Sequence, residues 1–235
     1  MTSLSRSVRF IPLWAALVPL VTINITYLVA ADLEHVRSCV PYLQGCASVS
    51  STGRELPESQ IFKAGFLPSA LVLAIFWHFC ATFLAIAGQA SARLHTLRVL
   101  GVIAGVSLTV YALTLGLNDG YFPELRRAGI VGFTLSTFLA EVLFWVFYAP
   151  LRKDATKRIW LWLIILSLAL PMLDVVSEIA KWAGAPRKPT NNTIAWNAFV
   201  VTSGYYAVVA RLWWHHGFTI QFGIRSGGRD ASPSE

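Results

Sequence analysis

The sequence predicts an all-α integral membrane protein, a bundle of six transmembrane helices with both termini cytoplasmic and one long ordered outer loop. Composition, apolar runs and charge placement point there together. Of 235 residues, 55% are hydrophobic and 13% are charged, against about 25% charged in an ordinary soluble domain. The mean hydropathy is +0.58. The apolar residues gather in six runs, each near the roughly 20 residues a helix needs to cross about 30 Å of hydrocarbon. A disordered chain is excluded, because it would be poor in apolar residues and rich in charge. The net charge is +7, yet no nucleic-acid partner is expected, because the positive residues are sorted by side of the membrane.

The first run, residues 10–31, exceeds a signal-peptide core of roughly 7–15 residues, and no small-x-small cleavage site precedes the polar loop, so it is read as a retained span. It contains Asn24. Residues 32–63 form the one long connection. The second run, 64–88, contains His78 and Cys80, and the third is 99–117. The fourth, 128–149, contains Glu141. The fifth, 159–179, contains Asp174 and Glu178, with Lys181 at its mouth. The sixth, 194–214, carries Asn197 near its outer mouth. Residues 1–225 make one membrane domain, and residues 226–235 read as a disordered cytoplasmic tail. The nine Trp gather near span ends, and most are expected to be interfacial anchors.

Orientation follows from the connections. Eleven basic residues, including Arg152, Lys153, Lys157 and Arg158, fall on the side of the termini, opposed by Asp154, Asp230 and Glu235. Eight fall on the other side, opposed by six acids. The positive-inside rule therefore places both termini in the cytoplasm. Cys39 and Cys46 lie in the long outer loop, where an oxidising compartment permits a disulfide closing a small ring. The alternative is two free thiols. Asn191-Asn192-Thr193 is a glycosylation sequon on the same side.

Ionisable groups in hydrocarbon cost roughly 2.5–3.5 kcal/mol each on insertion scales, so each needs a reason. Glu141 and His78 lie at matching depth, about 20 Å from the outer ends of their helices, where they could pair. Asp174, Glu178 and Lys181 follow i, i+4, i+7 and share one stripe, with Asp174 about 10 Å below the outer surface. With Asn24 and Asn197 they are expected to line a polar cavity open to the outer leaflet. The plainer readings are an interfacial Glu178–Lys181 pair and a His78–Glu141 contact gluing two helices. Proton transport ranks below these, because the acids form no continuous file. No metal or cofactor is expected, since no HxxxH or HExxH pair occurs in a span, and His215 and His216, as helix neighbours, point about 100° apart.

The outer loop reads CVPYLQGCASVSSTGRELPESQIFKAGFLP from Cys39 to Pro68. Its Gly and Pro content predicts a structured turn. Thr52 and Gly53 fit a tight turn whose N–H groups meet a phosphate, and Arg54 is a fork for two phosphate oxygens. Glu58 and Ser59 either contact a headgroup or start the second helix. The pattern Val49-Ser50-x-Thr52-Gly53-x-x-x-Pro57-Glu58-Ser59-x-x-Phe62 resembles the signature of the Frag/DRAM/Sfk family of six-span membrane proteins. Cys39, Pro41-Tyr42-Leu43 and Ser48-Val49-Ser50 are similar to the branch that remodels GPI-anchor lipids. The stretch from Asn192 through Thr202 to Trp214 is weakly similar to it. Cys46 lies outside that pattern.

The resemblance implies lipid remodelling or organisation, with membrane lipids and, in one reading, another membrane protein as partners. A bacterial member in an inner membrane would need a lipid other than a GPI anchor; a eukaryotic one would sit in Golgi, ER or plasma membrane. The expected headgroup residues are Asn24, Arg54, Glu58, Asp174, Glu178 and Asn197, with His78 and Glu141 as inner support. The alternatives are an intramembrane acyltransferase or lipid hydrolase with His78 or Asp174 as base, and a structural or regulatory partner with no ligand of its own.

Overall fold

The computed structural model describes residues 4–8, 10–117 and 119–222. A short strand, β1 (Leu4–Ser7), leads into the first spanning helix, α1 (Phe10–Asp32). The outer loop holds two one-turn helices, α2 (Pro41–Gln44) and α3 (Val49–Thr52). Five long helices follow: α4 (Glu58–Ile86), α5 (Ser91–Thr114), α6 (Phe122–Tyr148), α7 (Lys157–Trp182) and α8 (Arg187–His215). The chain then forms β2 (Thr219–Phe222). Among the described residues, six helices are thus long and apolar enough to cross a membrane. The tail expected at residues 226–235 lies outside the described residues.

The helices extend past the apolar runs because helix propagation is cooperative and stops at backbone signals rather than at the hydrocarbon edge. α4 begins directly after Pro57 and α8 directly after Pro186, while α6 carries Pro123 in its first turn. Hydropathy alone does not register these polar first turns. α7 ends just before Gly184, whose φ of 95° an L side chain rarely adopts.

β1 and β2 pair antiparallel, from Leu4 opposite Phe222 to Ser7 opposite Thr219. This ribbon brings the two terminal segments together at one end of the bundle. No sequence feature at either segment predicts it, since the partners lie at opposite ends of the chain.

Around the bundle the neighbours run α6, α5, α4, α1, α8, α7. The ring is tight except at its last seam. Gly105 of α5 brings that helix against the Ala70 carbonyl of α4, where a Cβ would stand only 2.7 Å away. Gly129 of α6 lies against Ser107 and Tyr111 of α5, with backbone atoms 2.8–2.9 Å from such a Cβ. Small residues allow this approach, and close packing drives association where lipid removes the hydrophobic incentive. α6 and α7 meet sparingly. Near Ala149–Thr156 they are tied by Trp145 Nε1 donating to Ser167 Oγ at 3.1 Å and Trp160 Nε1 donating to the Trp145 carbonyl at 3.1 Å.

Aromatic rings fill the centre. Phe76 packs against Trp77, Tyr206 and Trp213, with centroids 4.8, 4.9 and 5.9 Å away. Trp77, Trp196 and Trp213 are fully buried. These three depart from the interfacial role expected of most Trp and supply core volume, while Trp162, Trp182 and Trp214 remain exposed.

Candidate functional site

The loose seam holds the principal cavity, about 460 Å³ in volume, between α6, α7 and α8. That size suits a small-molecule or headgroup site. It lies in the half of the bundle away from the β ribbon, because it is lined by the C-terminal half of α7 and the N-terminal halves of α6 and α8. α7 contributes Asp174, Ser177, Glu178 and Lys181. Facing them are Thr134 and Thr137 of α6, and Asn191 and Thr202 of α8. Phe133, Leu170, Ile194 and Phe199 make the apolar part. The expected stripe on the fifth span is therefore real, and its i, i+4, i+7 spacing turns all three ionisable groups toward one space.

Lys181 Nζ donates to Glu178 Oε1 at 2.6 Å and to Asn191 Oδ1 at 2.9 Å. Ser177 Oγ donates to the same amide oxygen at 3.5 Å. Asn191 thus sits inside helix α8 with its amide engaged, rather than in the outer loop that a sequon reading expects. Asp174 is different. No described residue hydrogen-bonds or ion-pairs with it.

Asp174 also marks a junction. A second groove of about 390 Å³ shares Ile130, Thr134, Leu170 and Asp174 with the cavity. From there it runs over Val131, Leu135, Phe138 and Pro171. The cavity therefore opens sideways between α6 and α7 into a slot with almost entirely apolar walls.

The other expected headgroup residues stand elsewhere. Asn24 Nδ2 donates to Tyr42 Oη at 2.8 Å and to the Leu20 carbonyl at 2.8 Å. Asn197 Nδ2 donates to the Tyr42 and Thr193 carbonyls, both at 2.9 Å. Both asparagines thus hold α2 rather than a ligand. Trp196 Nε1 reaches the Ala47 carbonyl at 2.9 Å, and Asn192 Nδ2 reaches the Gly45 carbonyl at 2.8 Å. Cys39 and Cys46 form a disulfide with Cα atoms 6.4 Å apart. Gly45, at φ 56°, closes α2 directly against Pro189, leaving no space for a side chain.

The loop does not cap the cavity. It binds the face of α8 formed by Asn192, Thr193, Trp196 and Asn197, whereas Asn191, Ile194, Ala195 and Ala198 face the cavity. One helix separates the two, because residues spaced by three and four share a face and intervening ones do not.

The loop motif is likewise structural. Thr52 is buried and its Oγ1 donates to the Val49 carbonyl at 2.8 Å. Gly53 is buried against Phe62 and Leu115, where a Cβ would come within 3.0 Å and 2.8 Å, and it does not line the cavity. Ser48 caps α3 by accepting from the Ser51 N–H, and Ser50 Oγ lies 3.2 Å from Ser48 Oγ. Phe62 stacks on Phe66 at 4.0 Å. Pro57 precedes α4, whose first turn holds Glu58 and Ser59, both buried. Glu58 Oε1 lies 2.6 Å from His35 Nδ1. Arg54 is exposed, with its carbonyl against Gly116, away from the cavity.

The expected inner pair does not form. His78 is exposed on α4, whereas Glu141 is fully buried with neither carboxyl oxygen hydrogen-bonded. Matching depth does not ensure matching azimuth: His78 follows the buried pair Phe76 and Trp77 and turns outward. Tyr205 Oη donates to the Glu141 carbonyl at 2.9 Å.

Lys181 is legible in the sequence as the end of the stripe and as the partner of Glu178, a pair the structure forms. Ser177 lay between two acids, and Asn191 was legible only as a sequon. Thr134, Thr137 and Thr202 gave no signal, since nothing in one chain distinguishes a cavity threonine from a packed one. Among the described residues no group of three His, Cys, Asp or Glu stands close enough to hold a metal. No family model, no curated protein and no solved structure matches this chain.

Proposed function

We propose that this multi-pass membrane protein handles lipid, seating a headgroup in the α6–α7–α8 cavity and an acyl chain along the adjoining slot. The observation that carries this reading is the continuity of the two spaces through Ile130, Thr134, Leu170 and Asp174. A polar chamber open sideways to an apolar groove matches an amphiphile and suits neither a purely soluble nor a purely apolar molecule. The resemblance of the outer loop to the Frag/DRAM/Sfk family supports the same class, with lipid remodelling or organisation as the role.

The cavity belongs to the outer leaflet in this reading. Its end of the bundle also holds the Cys39–Cys46 bridge, which favours an oxidising compartment. Basic residues crowd toward the opposite end, which favours a cytoplasmic location for the termini. No catalytic step is assigned. His78 stands outside the cavity, which leaves Asp174 as the only base an acyltransferase or hydrolase reading retains.

Mass spectrometry of lipid retained by the purified full chain tests the reading. The wild type is expected to carry lipid. Ala198→Trp, which projects into the cavity from α8, is expected to fold and lose it, with Ala195→Phe as a second variant. Unchanged lipid in both folded variants would exclude the cavity as the site.

A further inference from the structure

We infer that the cavity selects a lipid whose headgroup carries a primary ammonium and no net negative charge. The inference rests on the lipid reading above and narrows it to a headgroup class. Three charged side chains line the cavity: Asp174, Glu178 and Lys181. Lys181 already donates to Glu178 and to Asn191. That leaves one of its three N–H groups free. The Glu178–Lys181 pair is neutral as a unit, so the uncompensated charge is the carboxylate of Asp174.

Asp174 stands where the chamber meets the apolar slot. Asp174 is exposed at that junction, so within a bilayer its unpaired carboxylate is costly and gains most from a cation brought by the ligand. A headgroup with net negative charge would bring repulsion instead, since among the described lining residues the one cation, Lys181, is already neutralised by Glu178.

Two of the four lining hydroxyls point to the same chemistry. Thr134 Oγ1 donates its proton to the Ile130 carbonyl at 2.9 Å, and Ser177 Oγ donates to Asn191 Oδ1 at 3.5 Å. Both therefore present lone pairs to the chamber. A carboxylate flanked by acceptor hydroxyls fits a group with several N–H donors. A primary ammonium has three. A quaternary ammonium has none and can hydrogen-bond neither Asp174 nor these hydroxyls. The adjoining apolar slot favours an ammonium tethered to an acyl chain over a soluble amine.

The test titrates the purified full chain, delipidated in detergent, with dioleoyl phosphatidylethanolamine, phosphatidylglycerol and phosphatidylcholine, read by native mass spectrometry. Phosphatidylethanolamine is expected to bind about tenfold more tightly than the other two. Asp174→Asn should remove that preference while keeping the wild-type melting temperature, and Asp174→Glu should retain it. Equal binding of the three lipids by wild type would overturn the inference, as would a preference that survives Asp174→Asn. Displacement of phosphatidylethanolamine by millimolar free ethanolamine would assign the site to a soluble amine and overturn it too. If Ala198→Trp left binding of all three lipids intact, the lipid reading itself would fail. Loss of all three in that variant, with no preference in wild type, would spare the reading and remove only the headgroup class.

Discussion

α6 meets its two neighbours in different ways. Toward α5 it presents Gly129 and Gly132, and the Ser107–Tyr111 turn of α5 fills the space their missing side chains leave. Toward α7 no such approach exists. α7 contains no glycine, and only Leu163, Ser167 and Ser177 of it are buried. In its most apolar window 11% of residues are buried, against 50% for α4. Helices in lipid associate through close backbone contact and polar ties rather than through exclusion of water. The half built from α1, α4, α5 and α6 uses both. Between α6 and α7 the ties lie toward the Ala149–Thr156 connection, and a cavity remains beyond them. The site is thus the place where the packing rule of the other half is not applied.

The contrast is open to attack from both halves. The largest effect should come from Gly129→Leu, which drives a side chain into α5 backbone 2.8–2.9 Å away. A loss of about 3 kcal/mol or more is expected, read as a collapse of the detergent melting temperature. Removing the disulfide with Cys39→Ser and Cys46→Ser should cost about 2–3 kcal/mol by releasing a short loop. Reduction of the wild type should give the same shift, and no shift would mean that the Asn24, Trp196 and Asn197 bonds hold the loop alone.

The loose half should behave oppositely. Gly204 of α8 faces α7, and a Cβ there would meet only Leu166 at 3.6 Å. Gly204→Ala should therefore be neutral or stabilise by about 0.5–1 kcal/mol through helix propensity. Destabilisation would show that this half is as tight as the other.

The smallest effect concerns the clasp at the ribbon end, where Tyr148 Oη of α6 lies 3.0 Å from His216 Nε2, just after α8. Burial, then the neighbouring His215 and Lys153, hold the His216 pKa below its ordinary value of 6.5. The unfolded chain therefore takes up this proton first as pH falls. The stability is fully present above the unfolded value and is lost as pH drops through the lower folded one. Melting temperature should fall slightly from pH 8 to pH 5, and His216→Gln should flatten that part of the profile.

Much of the fold was legible because the hydrocarbon thickness sets a length that apolar runs must match. The stripe Asp174, Glu178, Lys181 was legible for a similar reason, since one helix repeats nearly every 3.6 residues. Asn24, Asn197, Glu58 and Arg54 were misassigned together. Depth estimates place a residue along the membrane normal and say nothing of its azimuth. Polar side chains near the outer ends therefore looked like one cluster, although α8 divides them into a loop face and a cavity face. His78 failed against Glu141 on the same ground.

The sequence by itself thus determined six spans and the one acidic stripe, and placed two cysteines where a bridge could close, because each depends on spacing within one helix or one short loop. The tertiary structure alone decided that the two cysteines bond, that α6 and α7 stay apart, that Asp174 finds no partner among the described residues, and that an apolar slot begins beside it. The last three depend on which faces of three separate helices meet, and no local period encodes that.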